Sequence, residues 1–375
     1  MPNRKILLIA NTAWNFWNYR QAFIRALEQT GAQVILSAPE DNYSARLTGR
    51  PTIRFIPLRR MSRRSLSPFQ NFRSFCELYR LFQKEQPDMV FLYTIKPNLL
   101  GNIAAQMTHT LAISVVEGLG SSGSAATLWR RLVAPAFRLA LHRTHRVVFL
   151  NKDDARSFLQ RRLIRSNQVS IIPGPGVDTE YFKPVPKPAG PEVVFLFCGR
   201  LLREKGINEY VKAAQMVGKN HPNAVFQILG SPDSGNPTSV PAGEIKNWKR
   251  NTNLHITDRV DDVRPHLAAA DVLVLPSYYR EGVPRSVLEA MSMEKIILTT
   301  DTPGCRDTVD EGENGYLMPT QNTEALAACM QRVLELPPEK RLEMGRKSRR
   351  KVVAQFSDKM VLPLYLELLE TIDQP

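Results

Sequence analysis

Two glutamates stand eight residues apart, Glu281 and Glu289, and both could serve a polar ligand. A turn lies between them, with Gly282, Val283 and Pro284, and the pattern predicts a helix with Pro284 near its first turn. Backbone amides at such a helix N-terminus favour phosphate. A carboxylate one to two turns into the helix can accept hydrogen bonds from a diol such as ribose. The alternative is an ordinary strand–turn–helix with a solvated acid at each end.

A second group of candidates follows an apolar run that ends at Cys198. Gly199 permits close approach of the backbone, Arg200 comes next, and Lys205 stands near the start of the following helix. Two cations on one loop can neutralise a diphosphate leaving group, Arg with its planar fork and Lys as a point charge. The alternative is a pair of surface cations in a basic chain.

Each of these two loops is expected to follow directly after a β-strand. Short apolar runs that predict such strands occur throughout the chain. The predicted strands are 5–10, 33–38, 53–58, 88–93, 111–116 and 146–150, and then 193–198, 224–229, 254–256, 272–275 and 296–299. Helical patterns alternate with them, at 19–29, 69–84, 99–107, 207–217 and 263–269 among others. This alternation predicts an α/β protein with parallel sheets and crossover helices.

A proline-rich segment, KPVPKPAGP at 183–191, separates two such series and predicts an interdomain linker. We therefore expect two doubly wound, Rossmann-like domains, 1–186 and 187–359, that face a cleft. Ligands of such sheets bind beyond the carboxyl ends of the strands.

The motifs between residues 174 and 315 occur in an order that resembles retaining, nucleotide-sugar-dependent glycosyltransferases of family 4. They are Gly174–Phe182, Gly199-Arg200, Lys205-Gly206, Ala270-Asp271 leading to Pro276-Ser277, the pair Glu281 and Glu289, and Asp310–Gly315. Similarity in the N-terminal half is weaker. The resemblance implies the GT-B fold, and it implies that a last helix within 360–375 packs back onto the first domain.

The resemblance also implies roles for particular residues. Arg200 and Lys205 would bind the donor diphosphate and stabilise the departing nucleoside diphosphate, as cations placed before the reaction can do. Glu281 would lie by the donor sugar, as either a nucleophile or an electrostatic stabiliser. The amides of residues 282–284 would hold phosphate and sugar hydroxyls, and Glu289 would bind the ribose. No D-x-D-type triplet lies at a strand end, so we expect these cations to replace a metal, with no cofactor beyond the nucleotide sugar.

The sequence departs from the common family pattern at two places. The segment Asn11–Arg20 replaces a Gly-rich loop; Asn15 and Trp17 are predicted to bind the acceptor, whereas the alternative is that the segment's aromatic residues close the core. Glu117 stands in a segment where many relatives have a catalytic His. Glu117 is either the local acid/base or a residue that orients its loop.

Three further segments resemble a narrower group of bacterial enzymes: Tyr278–Arg285, Thr300–Arg306 and Thr94–Asn98. Similar enzymes add a hexose or N-acetylhexosamine from a UDP-sugar to an undecaprenyl-diphosphate-linked saccharide, in the synthesis of O-antigen, capsule or glycoprotein glycans. Lys96, in the last of these segments, is predicted to lie on the acceptor side.

Positive charge is concentrated in the first half of the 375-residue chain, whose net charge is +14. Residues 1–186 hold 26 Lys and Arg against 11 Asp and Glu, whereas the remainder is close to neutral. The excess indicates an anionic partner. Cations mixed with aromatic residues at 59–72 and 129–143 suit an anionic membrane surface. The alternative is that Trp129, Leu132, Phe137 and Leu141 pack into the domain.

Other classes of protein fit the sequence less well. The four cysteines are far apart and no apolar run reaches about 20 residues, so we expect a cytoplasmic protein, peripherally attached to the inner face of the membrane. A non-hydrolysing nucleotide-sugar epimerase is the alternative of similar fold. A nucleic-acid-binding protein is a more distant one, and we expect no nucleic-acid partner because no recognisable module appears. The absence of G-x-G-x-x-G after the first strand argues against a dinucleotide oxidoreductase.

Overall fold

The computed structural model describes residues 4–50, 52–62, 65, 67–120, 134–187, 190–233, 235–250 and 254–370. These residues form two compact units, one of 4–119, 134–175 and 358–370, the other of 176–357. Each unit contains its own parallel sheet. The predicted α/β class with two doubly wound sheets is confirmed.

The first unit is built on a seven-stranded sheet. Its strands are β1 (Lys5–Ile9), β2 (Gln33–Ala38), β3 (Ile53–Pro57), β4 (Met89–Tyr93), β5 (Leu111–Val116), β7 (Arg146–Phe149) and β8 (Val169–Ile171), and a short strand β6 (Gly118–Gly120) follows β5. The sheet order is β3-β2-β1-β4-β5-β7-β8, and all neighbours are parallel. Strands covered on both faces need continuous apolar sequence, and all five residues of β4 are buried.

Helices cover this sheet. They are α1 (Ala13–Tyr19), α2 (Gln21–Gln29), α3 (Ser44–Leu47), α4 (Pro68–Glu85), α5 (Asn102–Thr108), α6 (Ala134–Leu141) and α7 (Lys152–Gln160). The helix predicted at 19–29 is confirmed as α2 except at its start, because Arg20 has a non-helical backbone (φ −121°, ψ 2°) and α2 begins only at Gln21. The helix predicted at 99–107 includes a π-helical turn, Pro97–Gly101, before α5 begins.

The second unit is built on a six-stranded parallel sheet of order β11-β10-β9-β12-β14-β15. Its strands are β9 (Val193–Cys198), β10 (Ala224–Leu229), β11 (Leu254–Thr257), β12 (Val272–Leu275), β14 (Ile296–Thr300) and β15 (Gly315–Met318), with a short β13 (Arg280–Glu281). Its helices are α8 (Ile207–Gly218), α9 (Ala242–Trp248), α10 (Arg264–Ala269), α11 (Arg285–Ser292), α12 (Thr323–Glu335) and α13 (Pro338–Gln355).

The last helix, α14 (Asp358–Glu370), belongs to the first unit, where Tyr365 packs against Phe23 of α2 with ring centroids 5.1 Å apart. The second unit begins at residue 176, earlier than the sequence-based boundary after 186. The reason is local: Val177 bridges to Ser357, so the chain joins the second unit before the proline-rich segment.

Two of the apolar residues considered for membrane contact are core residues. Phe137 and Leu141 of α6 are buried beside Phe158 of α7, as the packing alternative predicts. Trp129 and Leu132 lie outside the described residues. Exposed apolar side chains occur instead on α4 and at Leu139.

Candidate active site

β9 ends in the loop that presents Arg200. The Gly199 amide donates to the Leu229 carbonyl at 3.0 Å, which ties this loop to the end of β10. At Gly230, φ is +157°, and a Cβ atom would lie 1.8 Å from the Gly199 oxygen, so the approach of the two loops requires glycine. The exposed Arg200 guanidinium donates from Nη1 to Asp233 Oδ2 at 2.7 Å.

A second close approach of backbone brings Lys205 to the strand-end loop after β12. Gly206 has φ +73°, and a Cβ atom there would lie 2.0 Å from the Pro276 oxygen. Lys205 Nζ forms an ion pair with Glu281 Oε1, and the two side chains are 14% and 11% exposed. This cation and this acid therefore neutralise each other in a nearly dry environment.

The surroundings of Glu281 fix its carboxylate further. The buried Ser277 Oγ lies 3.1 Å from Glu281 Oε1. The amides of Tyr278 and Tyr279 both donate to the Glu204 carbonyl at 3.0 Å, which holds the loop after β12 against the turn before α8. Because several hydrogen bonds fix the conformation of this loop, the position of Glu281 is set before any ligand binds.

α11 begins at Arg285 with Pro284 as its N-cap residue, in agreement with the prediction of a helix that begins near Pro284. The Arg285 amide is the first of the helix. Two residues later, the Val287 amide donates a hydrogen bond to the Pro284 carbonyl at 3.1 Å. Gly304, with φ +80°, allows its loop to approach the Gly282 carbonyl, since a Cβ atom would lie 1.8 Å from that oxygen. The turn at 282–284 thus leads into a helix N-terminus, a position that favours anions.

Glu289 lies on α11 and accepts a hydrogen bond from Arg285 Nε at 3.1 Å. Burial raises the pKa of the Glu289 carboxyl, and the Arg285 guanidinium opposes that rise. Burial, with a smaller contribution from Glu289, raises the pKa of the Cys198 thiol to about 12. Arg285 therefore favours the charged form of the Glu289 carboxyl group, whereas burial favours the neutral form.

In the first unit, Glu117 follows β5 and contacts the segment that holds α1. Its Oε1 forms an ion pair with Arg20, and its Oε2 accepts from Asn15 Nδ2 at 3.4 Å. Thr12 caps α1 by accepting the Asn15 amide at 3.3 Å. Asn15 and Glu117, predicted separately, are therefore brought into contact.

Trp17 and Lys96 make other contacts. Trp17 is half-buried, and the Arg46 guanidinium lies 5.6 Å from its ring centroid. Lys96 Nζ donates to the Ser62 carbonyl at 2.6 Å and also to the Ser65 carbonyl, and burial lowers the pKa of its ammonium group. These contacts hold a loop in place, and binding of an acceptor by either residue stays a prediction.

Three charged partners of the predicted residues, two in the second unit and one in the first, were missed by sequence reasoning. Arg285 stands four positions before Glu289, a helical spacing from which the pair could have been found. Asp233 follows a different strand from Arg200, and Arg20 is far from Glu117 along the chain. Nothing in the sequence signals either of these two pairings without the fold.

Within the described ranges, no three side chains among His, Cys, Asp and Glu are grouped so that they could hold a metal ion. The expectation of metal-independent chemistry stays a prediction. Across the same part of the chain, no helix has both the length and the apolar character needed to cross a bilayer.

Several curated proteins are similar to this chain along most of its length. The N,N'-diacetylbacillosaminyl-diphospho-undecaprenol alpha-1,3-N-acetylgalactosaminyltransferase of Campylobacter jejuni is 26% identical over 98% of this chain and 99% of its own. The UDP-Gal:alpha-D-GlcNAc-diphosphoundecaprenol alpha-1,3-galactosyltransferase of Escherichia coli is 26% identical over 78% of each chain.

Solved structures share the fold. Sucrose-phosphate synthase of Thermosynechococcus elongatus superimposes with a TM-score of 0.82, at 20% identity over 99% of both chains. The Anabaena protein HepE in complex with UDP-glucose gives a TM-score of 0.78, at 16% identity over 98% of this chain and 99% of its own.

Two protein families match the chain in succession. The family "Glycosyl transferase 4-like" matches residues 5–151, and the family "Glycosyl transferases group 1" matches residues 178–351. The first match covers β1 to β7, and the second contains Arg200, Lys205, Glu281 and Glu289. The chain is therefore a glycosyltransferase of the GT-B fold, with a family 4-like N-terminal domain followed by a group 1 C-terminal domain.

Proposed function

We propose that this enzyme transfers a hexose or N-acetylhexosamine from a UDP-sugar to an undecaprenyl-diphosphate-linked saccharide, with retention of the anomeric configuration. The observation that carries the proposal is the set of three cation–acid pairs in the second unit: Arg200–Asp233, Lys205–Glu281 and Arg285–Glu289. The names of the Campylobacter and Escherichia relatives support a lipid-linked acceptor.

The paired cations suit a donor whose leaving group is a diphosphate. Each cation lies against a carboxylate in the free protein, so its position is fixed before the donor binds. As the glycosidic bond breaks, negative charge grows on the diphosphate, and fixed cations stabilise that state more than the ground state. Arg200 and Lys205 therefore take the role of a divalent metal in this proposal, and no metal is required.

The remaining residues of the second unit bind the donor. The amides around Gly282 and Val283 precede the N-terminus of α11 and hold phosphate or sugar hydroxyls. Glu281, held by Lys205 and Ser277, stabilises the positive charge that develops on the sugar in this proposal. Glu289 accepts hydrogen bonds from the ribose hydroxyls.

A direct assay tests the proposal. Purified protein is incubated with labelled UDP-glucose, UDP-galactose, UDP-GlcNAc, UDP-GalNAc or GDP-mannose and an undecaprenyl-diphosphate-linked saccharide, with and without excess EDTA. We expect transfer from a UDP-sugar in both conditions, and an unchanged anomeric configuration in the product by NMR. If no donor is transferred or hydrolysed, the proposed function is wrong. Interconversion of UDP-sugars without acceptor would favour an epimerase instead.

We also propose that α4 attaches the first unit to an anionic membrane. Phe69 and Phe72, in its first turns, are 68% and 62% exposed. The Arg73 guanidinium lies 5.3 Å from the Phe69 ring centroid. Arg59 and Arg60, just before this helix, are exposed and hold Glu77 through their backbone amides. Apolar side chains beside cations suit the interface of an anionic bilayer.

Replacing Phe69 and Phe72 by Ser is expected to reduce flotation with phosphatidylglycerol-containing liposomes by about tenfold or more, since each buried aromatic contributes roughly 1.5–3 kcal/mol. Leu342→Ser is the matched control, because Leu342 is 62% exposed on α13 of the second unit. Equal flotation of the double variant and the wild type at low salt would contradict membrane attachment through α4.

A further inference from the structure

A buried cation supports the carboxylate of Glu117. The Arg20 side chain is 2% exposed, between the end of α1 and the start of α2, and its Nη2 forms an ion pair with Glu117 Oε1. The guanidinium carbon lies 4.3 Å from the ring centroid of the buried Tyr93, at the end of β4. Burial of a charge is costly unless it is paired, so the buried Arg20 guanidinium needs the Glu117 carboxylate as its counter-ion.

The other titratable groups around Arg20 do not supply a counter-ion. Tyr93 and Tyr365 both lie close to Arg20, and burial raises the pKa of each phenol, so both stay protonated. Burial alone would lower the pKa of Arg20, but the Glu117 carboxylate reverses this, and the pKa is raised above its ordinary value. In the part of the chain that the structure describes, Glu117 is the one carboxylate in ion-pair contact with Arg20.

The partner carboxylate differs from Arg20 in its exposure. The Glu117 side chain is 22% exposed, whereas Arg20 is almost fully enclosed. Both Glu117 oxygens have a protein donor, Arg20 Nη2 on one and Asn15 Nδ2 on the other. The carboxylate is therefore held at two points and still reaches the surface at the carboxyl end of β5, the edge where such sheets bind ligands.

Stability alone does not explain this arrangement. An apolar pair of similar volume is often as stable as a buried ion pair or more stable, because desolvation of the two charges is expensive. A fixed carboxylate orientation is what the Arg20 guanidinium provides and an apolar side chain cannot. The Asn15 amide alone, at 3.4 Å, is a long and weak constraint.

We propose that Arg20 is the positioning residue for Glu117: it holds that carboxylate in a fixed orientation, so that the carboxylate accepts a hydrogen bond from a hydroxyl group of the sugar substrates. This inference rests on the proposed function, since it assigns Glu117 to the substrates of sugar transfer. Arg20 acts through Glu117 and makes no substrate contact of its own.

A double-mutant cycle tests the inference. Sugar transfer is measured for the wild type, Arg20→Met, Glu117→Gln and the double variant, with kcat and both KM values. We expect Arg20→Met to lower kcat about 10- to 100-fold, the cost of a misplaced catalytic group, with the KM for donor nearly unchanged. In the Glu117→Gln background the same change is expected to lower kcat less than about twofold, since residues that act as a unit are not additive. Losses that multiply would overturn the inference.

Two further variants separate positioning from folding. Arg25→Met is the matched control, because Arg25 is an exposed cation on α2, the helix that begins one residue after Arg20, and it is expected to keep the wild-type kcat. Arg20→Lys retains the charge but not the planar fork, and it is expected to fold and to recover part of the lost kcat. If Arg20→Met does not fold, Arg20→Lys with wild-type kcat would overturn the inference. A wild type that transfers no sugar would instead overturn the proposed function.

Discussion

Replacing Lys205 by Met is expected to lower kcat for sugar transfer by about 10²- to 10³-fold, with a much smaller change in donor affinity. The reason is that in the proposed reaction Lys205 stabilises the charge that grows on the leaving diphosphate, in a site where Lys205 and Glu281 are only 14% and 11% exposed. Electrostatic interactions in such a site are stronger than in water. Steady-state kinetics gives kcat, and titration calorimetry with UDP gives the affinity.

The same substitution removes the Lys205 ammonium group from beside Glu281, so a loss of folding must be separated from a loss of catalysis. Lys205→Met combined with Glu281→Gln removes both charges and is expected to recover thermal stability without recovering kcat. Lys212→Met is the matched control, because Lys212 is an exposed cation on α8, just beyond this site. A weakened UDP affinity with unchanged kcat would contradict the prediction, since it would mean that Lys205 binds ground state and transition state equally.

Three strands of the second unit could be predicted residue by residue, whereas β11 and β14 extend one residue beyond the prediction and the short strands β13 and β15 were not predicted. The predicted bounds of β9, β10 and β12 agree with the structure, because parallel strands are covered on both faces and their apolar runs are uninterrupted. The ends of these strands place Arg200 and the loop before Glu281 at one edge of the sheet. The order of the motifs along the chain could therefore predict that these residues lie near one another, and binding of the donor by them stays a prediction.

The partners of the charged residues could not be predicted in the same way. The order of the strands in each sheet brings Asp233 close to Arg200 and Glu117 close to Arg20. That order depends on contacts between segments that are distant along the chain. The break at Arg20 is a further example. The helix predicted at 19–29 starts two residues too early, since Arg20, whose side chain forms the buried ion pair with Glu117, has a non-helical backbone and α2 begins at Gln21.

Replacing Glu289 by Gln is expected to weaken UDP binding by about 10- to 100-fold, with a smaller effect on kcat. A hydrogen bond to a charged group contributes about 1.5–3 kcal/mol, and each 1.4 kcal/mol corresponds to tenfold in affinity. Glu289 accepts the ribose hydroxyls in this proposal, and a neutral amide is a weaker acceptor than a carboxylate. Unchanged affinity for UDP would refute the ribose role.

The pH dependence of UDP binding tests the same role without altering Glu289. Burial raises the pKa of this carboxyl and Arg285 opposes the rise, so affinity should fall as the pH falls towards that raised pKa and the carboxylate takes up a proton. Arg285→Met removes the opposing cation, raises the pKa further and should move the same loss of affinity to higher pH. The nearby Cys198 thiol, whose pKa burial raises to about 12, stays neutral throughout and cannot cause the shift. A loss of affinity in Arg285→Met that is equal at every pH would mean instead that Arg285 itself contacts the donor.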